Sequence, residues 1–319
     1  MKVLVTGASG MLGGAVADAL AARGDDVTVL QRRPAGLLHR EVLADVVDAA
    51  AVRAAVAGHD AVVHLAAKVD IQGRYREFAR VNITGTRNVV SACRRAGVAR
   101  LVHVSTPAVA HHGSALVGAP AGPADPRSAR GHYARSKAAA EWVALAADAA
   151  PDGPATVVVR PHLVWGPGDT QLIGRIVARA RAGRLPVVGS GAALIDTTYV
   201  TNAADALVAA LDRCAAARGQ ALVVSNGEPR PVAELLTAIC RAAGAAPPRR
   251  SVPRSVAFGA GAVVEALWSG RGEPPMTRFL AEQLSTAHWF DQRRTREVLR
   301  WTPRVSIAEG LAALARHGA

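Results

Sequence analysis

A glycine-rich turn lies between the first apolar stretch of the chain, Val3–Thr6, and an alanine-rich stretch with helical periodicity. In the pattern G-x-x-G-x-x-G, the first glycine permits a tight turn, the second lets the backbone approach a phosphate, and the third allows close helix–strand packing. The helix N-terminus then offers free N–H groups to that phosphate. The alternative is a turn of the same type without a ligand. We predict a pyrophosphate-binding loop formed by Gly7, Ser9, Gly10, Met11, Leu12 and Gly13.

The alternation of short apolar strands and alanine-rich helices continues through the first half of the chain. Further strands are predicted at Asp26–Leu30, Ala61–Leu65, Leu101–Ser105 and Thr156–Arg160, with helices near 11–23, 48–57, 76–96 and 133–149. Such βαβ units wind right-handed into a parallel sheet that is buried on both faces. We therefore predict an α/β fold with a Rossmann-type doubly wound parallel sheet.

The regular alternation weakens after about residue 165. Helices are predicted near 170–183, 202–217, 231–243, 254–268 and 306–316, with one more strand at Ala221–Ser225. We expect a dinucleotide-binding domain over residues 1–165, to which 195–226 return, and a smaller, mostly helical substrate lobe over 166–319. The expected lining of the substrate pocket is Trp165, Leu172, Ile173, Tyr199, Val256–Trp268 and Phe279–Leu284.

Composition narrows the class of partner. The net charge is +13, but the arginines are scattered singly or in pairs, so no nucleic-acid partner is predicted. Three cysteines without C-x-x-C spacing indicate neither a disulfide scaffold nor a metal site. No stretch has the length and apolar character of a membrane span, and no signal peptide precedes the first strand. We expect a cytoplasmic protein with a small-molecule substrate; a homodimer is compatible with the sequence.

The end of the second predicted strand bears on the choice of a nicotinamide cofactor. The run there is Val29-Leu30-Gln31-Arg32-Arg33, without a carboxylate. A carboxylate would bind the adenosine ribose hydroxyls and repel a 2′-phosphate, whereas guanidinium groups bind that phosphate in bidentate fashion. The sequence therefore predicts NADP(H), bound by Arg32 and Arg33. The alternative is that both are ordinary solvated arginines.

Later strand ends complete the predicted cofactor cleft. Asp45, followed by Val46, is placed either to accept a hydrogen bond from the adenine amino group or to cap the next helix. The run His64-Leu65-Ala66-Ala67 ends another strand with small residues, as a close approach of backbone to cofactor requires. We predict cofactor contacts from Asp45, Val46, Leu65, Ala66 and Ala67.

Tyr133 and Lys137 carry the clearest chemical signal. Residues four apart on a helix share one face, and a neighbouring ammonium favours the phenolate. The pair therefore predicts a Tyr133 pKa lowered toward neutrality, as acid–base catalysis on a carbonyl requires; the alternative is a solvated helix face.

Ser105 and Thr106 end a strand at the ligand-binding edge of the sheet. One of these hydroxyls, Thr106 by slight preference, is expected to orient the substrate carbonyl, unless both only cap a turn.

In combination, these motifs resemble the extended short-chain dehydrogenase/reductases. They occur in the order T-G-x-x-G-x-x-G, H-L-A-A, V-N, S-T, Y-x-x-x-K and R-P-x-x-x-x-G-P-G-D over nearly the whole chain. The stretches Val159–Asp169, Asp196–Val200 and His288–Asp291 are similar to the 3β-hydroxysteroid dehydrogenase-like branch, which includes 2-alkyl-3-oxoalkanoate reductases. One departure is Ala110–Gly113, where the family often has a Tyr-Gly pair, so the loop over the substrate is expected to differ.

The resemblance implies a role for each matching residue. Tyr133 would be the general acid in reduction and the general base in oxidation, and Lys137 would also bind the nicotinamide ribose. Thr106 or Ser105 would complete the triad. Asn82 would lie near the active site, and the nicotinamide end of the site would include Pro161, His162 and Leu163.

The predicted function is an NADP(H)-dependent oxidoreductase that interconverts a ketone and a secondary alcohol on a hydrophobic β-keto acid, steroid-like or polyketide-like substrate. A nucleotide-sugar epimerase or dehydratase shares the fold and the Tyr/Lys pair, but such enzymes usually retain NAD, which fits poorly with Gln31. A non-catalytic NADP(H)-sensing protein is the alternative of another class, and its expected signature is loss of that pair. The direction of the reaction stays open, although an excess of NADPH in cells favours reduction.

Overall fold

The computed structural model describes residues 1–70, 73–111, 113–267 and 277–317, without the side chains of Ala266, Phe279 and His317. The predicted pocket residue Trp268, the side chain of Phe279 and His112 of the departing loop lie outside the described residues. The strands are β1 (Lys2–Thr6), β2 (Asp26–Gln31), β3 (Arg40–Leu43), β4 (Ala61–His64), β5 (Arg100–Val104), β6 (Leu116–Ala119), β7 (Ala155–Pro161), β8 (Val164–Trp165), β9 (Val187–Val188), β10 (Leu194–Ile195), β11 (Thr198–Tyr199), β12 (Ala221–Val224), β13 (Arg230–Pro231), β14 (Ser251–Val252) and β15 (His288–Phe290).

The helices follow the strands in chain order. A π-helical turn, Ala79–Thr84, joins the third helix to the fourth, and a 3-10 turn, Pro107–Ala110, follows β5. The α-helices are α1 (Met11–Ala22), α2 (Ala49–Val56), α3 (Tyr75–Phe78), α4 (Gly85–Ala96), α5 (Gly131–Asp148), α6 (Ile173–Arg181), α7 (Val200–Asp212), α8 (Cys214–Ala217), α9 (Val232–Ala242), α10 (Arg254–Leu267), α11 (Arg278–Ser285), α12 (Arg293–Leu299) and α13 (Ile307–His317).

Seven parallel strands form the main sheet in the order β12-β7-β5-β4-β1-β2-β3. The chain runs outward from β1 to β3 on one side and from β4 to β12 on the other. Ligands of such sheets bind at the carboxyl ends of the strands, beside the point where the order reverses. The predicted α/β fold with a Rossmann-type doubly wound sheet is confirmed, whereas the predicted domain boundaries stay a prediction.

Alternating side chains of the strands build one core on each face of the sheet. On one face, Val3 and Val5 pack with Leu20 of α1 and Leu207 of α7. On the other face, Leu4 belongs to the core that α2 and α4 complete. Because both faces are covered by helices, most positions of the central strands are apolar, and the polar exceptions, such as His64, His103 and Arg160, are buried.

Beyond the main sheet, short strands form small sheets that the sequence does not predict. A four-stranded sheet has the order β13-β10-β15-β6, and two further pairs join β8 with β11 and β9 with β14. These strands are two to four residues long, too short to display a period of two. The predicted helix over 202–217 is divided into α7 and α8 at Arg213, and the helix over 76–96 contains the π-helical turn.

A buried ion pair joins α5 to β7. The side chains of Arg160 and Glu141 are each 1% exposed; Arg160 Nε donates to Glu141 Oε2 at 3.0 Å, and Nη2 makes a second contact with the same carboxylate. Arg160 Nη1 also donates to the carbonyl of Gly122 at 2.9 Å. A buried charge requires such a set of partners, because moving an unpaired charge out of water costs a large free energy.

We expect Arg160→Leu to lower the free energy of unfolding by about 3–5 kcal/mol, because it leaves the Glu141 carboxylate buried without its partner. The double variant Arg160→Leu/Glu141→Leu should recover a large part of that loss. Urea unfolding followed by circular dichroism measures both. Arg218→Leu, which removes a half-exposed pair with Asp148, is the control and should cost less than about 1 kcal/mol. Equal losses for Arg160→Leu and Arg218→Leu would contradict a structural role for the buried pair.

Candidate active site

A groove of about 1370 Å³ follows the carboxyl ends of β1, β2, β4, β5 and β7. It contains most of the predicted site residues, while Arg33, Asn82 and His162 are not among its lining. The predicted residues in the groove are Gly7, Ser9, Gly10, Met11, Leu12, Gly13, Arg32, Asp45, Val46, Leu65, Ala66, Ala67, Ser105, Thr106, Tyr133, Lys137, Pro161 and Leu163.

The glycine loop is fixed by close backbone contacts. Gly7 has a φ of +79°, and a Cβ there would lie 2.7 Å from the backbone nitrogen of Ala66. A Cβ at Gly13 would overlap the carbonyl oxygen of Gly7. A Cβ at Gly10, the residue before α1, would meet nothing closer than 3.5 Å, and no side chain caps the helix there. The first turn of α1 therefore has backbone N–H groups available for an anion in the groove.

The end of β2 combines an amide, an arginine and a carboxylate. Gln31 lines the groove and is buried, its Nε2 donates to the Glu41 carboxylate of β3, and its Oε1 has no hydrogen-bond partner among the described residues. Arg32 is exposed and lines the groove, whereas Arg33 is exposed outside it. Glu41 is not among the predicted residues, because only the register of β3 on β2 brings its carboxylate near Gln31.

Asp45 lines the groove and does not cap the following helix. Its Oδ1 accepts a hydrogen bond from the backbone nitrogen of Val47 at 3.2 Å. The cap of α2 is Asp48, which accepts from Ala50 N at 2.9 Å and Ala51 N at 3.0 Å. The capping alternative for Asp45 is therefore wrong, and an adenine contact stays a prediction.

Asn82 lies behind the groove, in the π-helical turn, and is 1% exposed. Its Oδ1 accepts from Lys68 N at 2.7 Å, and its Nδ2 donates to Lys68 O at 3.1 Å and to Ser136 Oγ at 2.8 Å. The side chain thus joins the loop after β4 to α5. Of these two partners, Lys68 lines the groove, whereas Ser136 is buried in α5 between Tyr133 and Lys137.

Tyr133, Lys137 and Thr106 meet at the other end of the groove. Lys137 is 3% exposed, and its Nζ donates to the carbonyl of Val104 at 2.5 Å. Burial lowers the pKa of Lys137 to about 8, against the opposing charge of Glu141. The Tyr133 hydroxyl makes a hydrogen bond with the side chain of Thr106.

Burial raises the pKa of Tyr133 to about 12, although the hydrogen bond from Thr106 acts in the opposite direction. The predicted lowering of this pKa is therefore wrong for the structure. The physical reason is that desolvation of the phenolate outweighs its stabilisation, while the Lys137 ammonium is bound to a backbone carbonyl. A phenol with this pKa is protonated throughout the neutral range.

The two hydroxyls after β5 have different surroundings. Thr106 contacts Tyr133 and also accepts from Ala108 N at 3.3 Å, so it borders the site and caps the 3-10 turn at once. Ser105 lines the groove, and its Oγ has no hydrogen-bond partner among the described residues. The Thr106 hydroxyl is thus the one that contacts the Tyr133 phenol.

Two buried histidines lie close to Lys137. The His64 ring is held between Thr6 Oγ1 at 2.7 Å and Thr86 Oγ1 at 3.0 Å, and its centroid is 5.5 Å from that of His103. Burial, and then the charge of Lys137, lowers the pKa of His64 to about 3 and also lowers that of His103. Both rings are neutral near pH 7 and add no positive charge beside the ammonium.

The predicted substrate-pocket residues divide between the groove and the core. Leu172 lines the groove, whereas Trp165, Ile173 and Tyr199 are buried in an apolar cluster that includes Ile239 of α9. The ring of Trp165 stands edge-on to Tyr199 at 5.4 Å between centroids. These three residues do not form the pocket, because the helices α6, α9 and α13 cover them. The groove lining includes no residue of α10.

No helix in the described ranges has the length and apolar character to cross a membrane. Within the same residues, no group of three or more His, Cys, Asp or Glu side chains is arranged to hold a metal ion. Cys93, Cys214 and Cys240 are all buried and free.

Comparison with known proteins identifies the family. The model of the NAD dependent epimerase/dehydratase family matches residues 3–225. The chain is 43% identical to a 2-alkyl-3-oxoalkanoate reductase of Stenotrophomonas maltophilia (strain K279a), over 98% of each protein. It is 30% identical to a 4-hydroxy-2-methyl-3-oxo-4-farnesyl-3,4-dihydroquinoline-1-oxide ketoreductase of Stigmatella aurantiaca, over 100% of this chain and 97% of that protein.

Among solved structures, MoeE5 in complex with UDP-glucose and NAD superposes with a TM-score of 0.74 at 26% identity, over 99% of this chain and 98% of that one. The fold, the groove and these relatives confirm the resemblance drawn from the motifs. The chain belongs to the NAD dependent epimerase/dehydratase family, the extended short-chain dehydrogenase/reductases, and is an oxidoreductase of that family.

Proposed function

We propose that this protein is an NADP(H)-dependent ketoreductase that reduces the keto group of a 2-alkyl-3-oxo acid or a similar apolar oxo compound. The observation that carries the proposal is the contact between the Tyr133 phenol and Thr106, beside Lys137, in the same groove as the glycine loop. A proton donor, a hydroxyl that orients a carbonyl, and an anion-binding helix end thus share one cleft. The relatives that act on 3-oxo acids support the substrate class.

Tyr133 serves as the proton donor. NADPH held in the groove would supply the hydride for the carbonyl carbon. The Tyr133 phenol gives its proton to the carbonyl oxygen, which completes the secondary alcohol. Because burial raises the pKa of Tyr133 to about 12, the phenol is in its donating form at neutral pH.

Lys137 supplies the positive charge of the site. Its ammonium, bound to Val104 O, lies one helical turn from Tyr133, where it stabilises the phenolate that remains after proton transfer. It is also placed to donate to the ribose hydroxyls at the nicotinamide end. Thr106 donates to the substrate carbonyl or to the phenol oxygen as the charge moves.

The cradle at the glycine loop fits a dinucleotide. Gly10 leaves the space that a pyrophosphate requires, and the first turn of α1 offers its N–H groups. At the end of β2, Arg32 borders the groove where a 2′-phosphate would lie. Gln31 stands where a carboxylate would repel that phosphate, and the Glu41 carboxylate that Gln31 binds is not part of the groove lining. These residues support NADP(H), although the similar MoeE5 structure holds NAD.

The wall opposite Tyr133 suits an apolar chain. It is formed mainly by residues between β7 and α6. Two cations of the groove have partners: Arg175 of α6 donates to Gln171 Oε1 at 2.8 Å, and Lys68, in the loop after β4, contacts the Asp70 carboxylate at 2.6 Å. An apolar lining with few convergent charges favours a hydrophobic ligand over a nucleotide sugar. The apolar residues of this wall are Leu163, Val164, Pro167, Leu172 and Val200.

Tyr133→Phe should lower kcat/KM for reduction of a 2-alkyl-3-oxo acid about 10³-fold, because the proton donor is lost. The dissociation constant of NADPH, measured by fluorescence, should change little. Tyr75→Phe is the matched control, since Tyr75 lies outside the groove lining, and it should retain full activity. Full activity of Tyr133→Phe would contradict the mechanism.

Conversion of UDP-sugars without net NADPH oxidation by the unmodified protein would instead indicate an epimerase or dehydratase.

Arg32→Ala should raise the KM for NADPH roughly 10- to 100-fold, as expected from the loss of a charge-assisted hydrogen bond to phosphate. The KM for NADH should stay unchanged, because NADH lacks that phosphate. Arg33→Ala is the control, because Arg33 does not line the groove. Its effect on the KM for NADPH should be much smaller than that of Arg32→Ala. Equal losses with both cofactors would show that Arg32 does not read the 2′-phosphate.

The rate of reduction should be constant through the neutral range and fall above pH 8, where Lys137 loses its proton. The sign follows from the active form: Lys137 is charged below its pKa of about 8, and Tyr133 stays protonated to about pH 12. A profile of kcat/KM from pH 6 to 10 measures this. In Lys137→Arg, the arginine stays charged from pH 6 to 10, so the fall of kcat/KM above pH 8 should disappear, whatever the absolute rate of this variant. A limb that persists in Lys137→Arg would assign the titration to another group.

A further inference from the structure

The residue after His162 has an unusual backbone conformation. Leu163 has a φ of +42°, in the left-handed region that non-glycine residues avoid. It follows β7 directly and lines the groove beside Pro161. Because β7 is the neighbour of β5, whose end leads to Thr106, this turn lies at the Tyr133 end of the groove. A conformation of this kind persists only where surrounding contacts hold it.

Backbone hydrogen bonds hold the turn from two sides. His162 N donates to Val224 O at 2.9 Å, and Thr198 Oγ1 donates to His162 O at 2.6 Å. Thr198 N donates to Leu163 O at 3.2 Å. The main chain of the turn is thus attached to β12 and β11, but these bonds do not fix the His162 side chain.

The His162 ring is fixed by a chain of hydrogen bonds from the second half of the molecule. His288 Nε2 lies 2.9 Å from the carbonyl oxygen of Gln283, and a carbonyl can only accept, so Nε2 carries the hydrogen. Burial lowers the pKa of His288 to about 4, which leaves its Nδ1 as an acceptor near pH 7. His162 Nε2 lies 2.8 Å from that Nδ1 and therefore donates to it.

Other contacts complete the surroundings of these rings. The ring of Phe290 stands edge-on to His162, with 5.1 Å between the centroids, so β15 contributes both an acceptor and a packing surface. His111 is the titratable group whose charge lowers the pKa of both His162 and His288. Its Nε2 forms a hydrogen bond with the carbonyl oxygen of Ser114 at 3.0 Å. The His162 side chain is therefore held by residues of β15, which belongs to a different sheet from β7.

We propose that His288 is a positioning residue that holds the His162–Leu163 turn against the nicotinamide end of the groove, and thereby sets the geometry of hydride transfer. This inference rests on the proposed ketoreductase function. Because His288 belongs to β15 of the four-stranded sheet, that sheet affects the position of the cofactor without contacting it. A small displacement of the reacting atoms is enough to slow transfer by a large factor, so loss of the hydrogen bond should be visible in the rate.

His288→Phe removes both hydrogen bonds and keeps an aromatic ring, whereas His288→Asn places an amide oxygen near the position of Nδ1 and restores the acceptor. In His288→Phe we expect kcat to fall about tenfold, with the NADPH dissociation constant within about twofold of its original value, because the glycine loop still binds the phosphates. The isotope effect on kcat with NADPH deuterated at C4 should rise, and His288→Asn should bring both quantities back. His59→Phe, at a loop on the opposite edge of the sheet, is the control.

Two measurements are independent of turnover. Nitrogen-15 NMR of the histidines should show Nε2 protonated in both His162 and His288. The fluorescence lifetime of bound NADPH should shorten in His288→Phe and recover in His288→Asn, since the nicotinamide is then less confined. If the unmodified protein reduces no ketone, the proposed function fails, and the lifetimes still test the positioning role.

Unchanged kcat, isotope effect and lifetime in a folded His288→Phe protein would overturn the inference. If that variant does not fold, Leu163→Gly provides the second test, because glycine accepts the positive φ and loosens the turn while His288 itself is retained. It should raise the isotope effect in the same way. No change in Leu163→Gly would also count against the inference.

Discussion

The contact between the start of α1 and the end of β1 is the constraint on which the groove depends. Gly13 packs so closely on Gly7 that a single Cβ would overlap the carbonyl of Gly7. This approach directs the N-terminus of α1 at the carboxyl edge of the sheet, where the ends of β2, β4, β5 and β7 also meet. A side chain at either glycine would move the helix away and open the cleft from one side.

Burial decides the chemistry at the other end of the cleft. It raises the pKa of Tyr133 to about 12 and lowers that of Lys137 to about 8, so at neutral pH the phenol keeps its proton and the ammonium keeps its charge in spite of burial. His64 and His103 lie close to the Lys137 ammonium, and because their imidazoles are neutral they add no second positive charge beside it. Desolvation therefore determines the protonation of Tyr133 more than an attraction between the phenolate and the ammonium does, although that attraction is the effect that the spacing alone suggests.

The parts that were predicted correctly share a local signature. The strands of the main sheet are short, mostly apolar runs, and the glycine turn between β1 and α1 has a fixed spacing, so the positions of both follow from neighbouring residues. What was missed depends on register and long-range contact. Glu41 reaches Gln31 only through the pairing of β3 with β2, and His288 reaches His162 across 126 positions of sequence. Trp165 and Tyr199 were assigned to a pocket because aromatic composition does not distinguish a core from a binding surface.

The return of β12 and α7 to the first half of the chain has a consequence for how the protein forms. β7 pairs with β12, and Leu207 and Leu211 of α7 complete the core around Val16 and Leu20. During synthesis, the apolar face under α7 and the edge of β7 stay uncovered until residue 224 has left the ribosome. Such late closure favours a single cooperative folding event over independent folding of an N-terminal half, and makes the nascent chain dependent on protection from association in the meantime.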